Sequence, residues 1–150
     1  MTTTASRMGV LGRQECLALL ATVPTGWLAF TTVLRPRLVL VNIALRGHHV
    51  VLRTGPGEAV TAAENGAVMS VGVSCTDEAT RTGWSVTVTG TARLLGPLLD
   101  GGTTGDAPLH PWAPGTKDHV LAIEVEDVSG RRVSAGTALG TGEASWGWWG

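Results

Sequence analysis

The stretch Ala79-Thr80-Arg81-Thr82-Gly83-Trp84-Ser85-Val86-Thr87-Val88-Thr89-Gly90 decides the fold. A short polar turn delivers a tryptophan, and strict alternation then begins. Val86, Val88 and Gly90 fall on one face; Ser85, Thr87, Thr89 and Thr91 fall on the other. Side chains of a strand point to alternate sides, so this period of two describes a long strand over residues 84–95 with one face on a core. Residues 76–83 are its polar connection to a strand at 67–75, where Val71 and Val73 alternate with small residues.

Upstream, strands are predicted at 27–32, 38–45 and 50–54. They are joined by Arg35-Pro36 and by the hairpin Arg46-Gly47-His48-His49, which makes an antiparallel meander. The run 38–45 is almost continuously apolar around Asn42, the pattern of a strand buried on both faces. Two short helices complete this half. In residues 12–22, Cys16, Leu17, Leu19, Leu20 and Ala21 recur at helical spacing, and Pro24 with Gly26 stops them. Residues 58–65 follow Pro56 and end at Asn65-Gly66. Downstream, residues 96–115 read as a Gly- and Pro-rich loop and residues 119–126 as the last long strand. Ser129-Gly130 reads as a turn into Arg131-Arg132-Val133. Six or seven strands with two plugging helices describe a small closed sheet. Residues 1–134 form one barrel domain. Residues 135–150 form a Gly-rich tail ending Trp146-Gly147-Trp148-Trp149, either an arm that docks on the barrel or its partner, or a disordered end.

A hydrophobic fraction of 43% and a charged fraction of 15% belong to a globular chain. The net charge of −1 argues against a nucleic-acid surface, which shows as a basic stripe. No apolar run approaches the ~18 residues of a spanning helix, and the first ten residues carry no apolar secretion segment. The expectation is a cytoplasmic protein with no membrane or nucleic-acid partner. Cys16 and Cys75 lack metal-ligand spacing, and Cys16 reads as packing. His48 and His49 are adjacent on a hairpin, so their side chains diverge; no metal site is expected.

Three motifs occur in a telling order: Arg53-Thr54-Gly55-Pro56-Gly57, then Trp84-Ser85 opening the long strand, then Pro111-Trp112-Ala113-Pro114-Gly115. With them the chain resembles the pyridoxamine 5′-phosphate oxidase-like family over roughly residues 11–133. That resemblance implies a six-stranded antiparallel split β-barrel, a homodimer, and flavin sites in the grooves between protomers. It places Val41 and Asn42 under the flavin ring and Arg53 and Thr54 at the phosphate. Trp84 and Ser85 come at the flavin edge, with Trp112 as dimer packing or pocket wall. The implied function is an oxidoreductase using FMN or a deazaflavin on a small organic substrate, with no catalytic side chain assigned because hydride chemistry belongs to the cofactor.

Two departures stand out. Where relatives carry a hydroxyl residue and a lysine after the glycine turn, this chain has Glu58-Ala59, a carboxylate beside the expected dianion. Backbone amides of the following helix, and its dipole partnership with Glu58, are compensating possibilities. The stretch Val71-Gly72-Val73-Ser74 lacks the acidic residues relatives carry there. These departures keep a second reading open, a cofactor-free barrel binding an apolar small molecule or a pathway partner.

Overall fold

The computed structural model describes residues 7–97, 103–104, 107–108 and 119–134. The elements in chain order are β1 (Arg7–Val10), α1 (Arg13–Leu20), β2 (Thr25–Thr31), β3 (Pro36–Arg46), β4 (His49–Thr54), α2 (Glu58–Glu64), β5 (Val68–Asp77) and β6 (Thr82–Pro97). The short β7 (Thr103–Thr104) and β8 (Ala107–Pro108), then β9 (His119–Glu124) and β10 (Asp127–Ser134), complete them. Strands β6, β5, β2, β3, β4 and β9 are antiparallel neighbours, and β9 pairs back onto β6, closing a six-stranded barrel.

The long β6 makes this closure possible. Its first half pairs with β10, from Gly83 opposite Val133 to Thr89 opposite Asp127. Its second half pairs with β9, from Ala92 opposite Ile123 to Pro97 opposite His119. One edge of β6 thus serves two strands, and the chain changes direction between them at Val125 and Glu126. The Val125 amide donates to the His48 carbonyl at 2.8 Å, and that of Glu126 to the Thr89 carbonyl at 3.2 Å. Arg13 on α1 ties the same crossing down, donating to the Val125 carbonyl at 3.1 Å.

Alternation puts Leu28, Ile43, Leu52, Val71, Val88, Leu121 and Ile123 inside the barrel, all buried. Removing each such side chain from water contributes about 1.5–3 kcal/mol. Helix α2 closes the core with Ala59, Val60 and Ala63; α1 adds Cys16 and Leu20. No helix among the described residues is long and apolar enough to cross a membrane.

Four expectations need correcting. First, β1 was not anticipated; it adds an edge strand through main-chain pairing with β10. Second, Ser129-Gly130 is not a turn, since β10 runs straight through it. Glycine stands there because α1 presses close: a Cβ at Gly130 would lie 2.5 Å from the Cys16 Sγ. Third, the connection between β5 and β6 is tighter than 76–83, because pairing continues to Asp77 opposite Thr82. Asp77 holds that turn by accepting from the Ala79 and Thr80 amides. Fourth, β3 is buried on both faces only over Val41, Asn42 and Ile43; before them Leu38 is 62% and Leu40 45% exposed on its outer side. Trp112 and the tail at 135–150 lie outside the described residues.

The two cysteines differ sharply. Cys16 is wholly buried and Cys75 exposed. Burial pushes the Cys16 thiol up, and the neighbouring Glu15 charge pushes the same way, so thiolate is scarce there. Native protein treated with a thiol reagent is expected to take one label per chain, at Cys75, and two after denaturation. Rapid labelling of Cys16 in folded protein would contradict the packing of α1 on β10.

Candidate functional site

The hairpin register sets the site. Asn42 on β3 stands directly opposite Thr25 on β2 and Arg53 on β4. Arg53 in turn faces Val120 on β9. Because Val41, Ile43 and Leu52 face the core, Asn42 and Arg53 belong to the outer face, in one polar row. Asn42 is only 5% exposed, the one polar residue among the buried positions of the described residues. A buried amide needs partners, and both Asn42 and Arg53 have them. Next along the outer face come apolar side chains: Leu40 opposite Trp27, and Leu38 opposite Ala29. Trp27 is 50% exposed, so a flat apolar surface adjoins the polar row.

A cleft of about 240 Å³ is lined from β2, β3 and the turn after β4, and neither Asn42 nor Arg53 is in its lining. Val39 and Val41 form one wall and Thr54, Gly55, Pro56 and Gly57 the other. Glu58, Arg37 and Leu40 complete its lining. The Arg37 Nε lies 3.1 Å from the Glu58 Oε2, with both side chains about half exposed. An exposed pair of this kind stabilises the fold by roughly 0–1 kcal/mol, so its interest is not structural.

The residues singled out in the sequence therefore fall into three places. Val41, Thr54 and Glu58 line the cleft. Asn42 and Arg53 form the adjoining row; strand alternation separates Arg53 from its neighbour Thr54. Trp84 and Ser85 stand apart on β6, opposite Cys75 and Ser74 on one side and Arg132 and Arg131 on the other. Within one chain, β5 and β2 lie between them and β3. Trp84 borders a second cleft of about 380 Å³, with Cys75, Asp77 and Arg132.

Two residues escaped the sequence reading. Arg37 falls between the predicted Arg35-Pro36 turn and the strand predicted at 38–45; its parity with Val39 and Val41 was the available signal. His119 stands opposite Thr54, and its Nδ1 is buried without a hydrogen-bond partner. Among the described residues no group of three or more His, Cys, Asp or Glu side chains is arranged to hold a metal.

A hydroxyl, exposed main chain at a glycine turn and an arginine suit a phosphate. A polar row beside exposed Trp27 and Leu40 suits a flat heteroaromatic ring. The residues present thus fit a flavin nucleotide. A split barrel with this site defines the class of the flavin-binding split barrels, and the comparisons give the family. A family model described as pyridoxamine 5′-phosphate oxidase matches residues 12–132. The uncharacterized protein Rv0080 of Mycobacterium tuberculosis is 35% identical over 130 residues, covering 83% of this chain and 85% of that one. A FAD-binding protein from Mesorhizobium loti superposes with a TM-score of 0.69 at 26% identity, over 87% of this chain and 99% of its own. The FAD binding protein from Mycobacterium smegmatis does so at 0.64 and 26%, over 86% and 98%. This chain belongs to the pyridoxamine 5′-phosphate oxidase family.

Proposed function

We propose that the protein is a flavin-dependent oxidoreductase acting on a small organic substrate. FMN is the ligand the cleft suits most simply. A deazaflavin, or the FAD named for the relatives from M. loti and M. smegmatis, is the alternative. The observation that carries this reading is the cleft lined by Arg37, Thr54 and the Gly55-Pro56-Gly57 main chain, with the Asn42–Arg53 row on the other face of the same two strands. When bound, the flavin supplies the hydride chemistry. The chain's own residues would hold it: Asn42 would meet the polar edge of the ring system, and Arg53 would serve the phosphate side. Thr54 donates to the phosphate, and Val41 and Leu40 keep water from the wall between.

The exposed Trp27, Leu38 and Leu40 support a homodimer, because a contiguous apolar face of this kind marks an interaction surface. In such a dimer Trp84 and Ser85, remote from β3 within one chain, complete the groove from the partner protomer.

The test is a reconstituted protein, freed of excess flavin, reduced without oxygen and mixed with small organic acceptors. Return of the flavin absorbance is expected to outpace that of free reduced flavin for at least one acceptor. Equal rates throughout would overturn the oxidoreductase reading. One observation favours the second reading, a cofactor-free binder of an apolar small molecule: the Arg37–Glu58 pair leaves the cleft electrically neutral. Uptake of an apolar dye by protein that binds no flavin would support it.

A further inference from the structure

Arg37 and Glu58 are the only charged residues lining the cleft among the described residues, and they are paired to each other. Paired, they present no net charge to an anion. Separated, Arg37 presents a guanidinium whose planar fork matches phosphate oxygens. Both side chains are about half exposed and end long flexible stems, so separation costs little. Arg37 reaches the cleft from β3, on the wall opposite the Thr54–Gly57 turn.

We infer that the Arg37–Glu58 pair is a latch on the phosphate end of the cleft. Arg37 is the cation that receives the ligand's phosphate. Glu58 is an internal anion that occupies Arg37 while the cleft is empty and must be displaced when phosphate enters. The chain thus carries a built-in competitor that sets ligand affinity. The inference rests on the proposal that this cleft takes a flavin phosphate.

The test compares FMN with riboflavin, which lacks the phosphate, by fluorescence quenching of the full chain. Inorganic pyrophosphate is followed separately by calorimetry. Glu58→Gln is expected to tighten FMN by about five-fold, the equivalent of one exposed ion pair, and leave riboflavin unchanged. Arg37→Gln is expected to weaken FMN by about ten-fold or more, again without effect on riboflavin. The double variant decides the mechanism. If Glu58 acts by occupying Arg37, its removal gains less than about two-fold once Arg37 is gone. An equal gain in both backgrounds would overturn the latch, as would flavin binding indifferent to either substitution; both outcomes leave the flavin proposal standing. Pyrophosphate binding that depends on Arg37, with no flavin bound, would overturn the flavin proposal and keep the latch. Binding of neither would overturn both.

Discussion

A Gly90→Ala protein is expected to be destabilised by about 4 kcal/mol or more, with its thermal midpoint lowered by roughly 10 °C or more. Gly90 lies on β6 between the segment that pairs with β10 and the segment that pairs with β9. The chain crosses there from one to the other. A Cβ at this position would collide with the Glu124 carbonyl oxygen and lie 2.8 Å from its carbonyl carbon. Those atoms are main chain and cannot rotate aside, so either the crossing or the barrel closure must shift. Gly72→Ala on β5 is the control, because nothing lies within 4 Å of a Cβ there. Its effect is expected to stay within about 1 kcal/mol. Equal midpoints for the two variants, measured by circular dichroism, would contradict the account of how the barrel closes.

Arg53→Ala is expected to weaken flavin binding by roughly ten- to a hundred-fold while the barrel stays folded. A charge-assisted hydrogen bond contributes about 1.5–3 kcal/mol, and each 1.4 kcal/mol is a factor of ten. Arg53 ends the polar row, paired with Asn42 on one side and Val120 on the other. Thr54→Val removes one hydroxyl from the cleft wall and is expected to cost only a few-fold by comparison. Titration of each variant with FMN measures both. Unchanged affinity for Arg53→Ala would remove the polar row from the binding site.

Much of this fold was legible in the residues. Val86, Val88 and Gly90 read as one buried face of a strand because the opposite face carries only hydroxyls. Helix α2 was legible from Pro56 before it and Asn65-Gly66 after it. What escaped is held by contacts that leave no local pattern. Strand β1 is joined to the sheet by backbone pairing and one side-chain contact, Arg131 to the Met8 sulfur, while Gly9 and Val10 stay exposed. Gly130 looks like turn chemistry, yet its reason is the approach of Cys16 from a distant helix. Leu38 and Leu40 read as core because an apolar side chain signals burial without saying by what.

The site divides in the same way. Asn42, Arg53 and Thr54 were singled out by the family resemblance that the order of motifs along the chain carries. That Arg53 and Thr54 face different surfaces follows only once the strand's inner face is known. Glu58 was conspicuous as a carboxylate in an anion's place, but its partner was not. Arg37 lies twenty-one residues earlier, and it meets Glu58 only because β3 and the turn after β4 form opposite walls of one cleft.

The central claim is that this barrel carries a flavin across the Asn42–Arg53 row and the neighbouring cleft. Titrating the purified full chain with FMN, FAD and a deazaflavin, while following tryptophan and cofactor fluorescence, tests it most directly. Saturable quenching by at least one of them is predicted, at roughly micromolar strength, about −8 kcal/mol. No saturable binding of any of the three up to roughly hundreds of micromolar, about −5 kcal/mol, would contradict the claim.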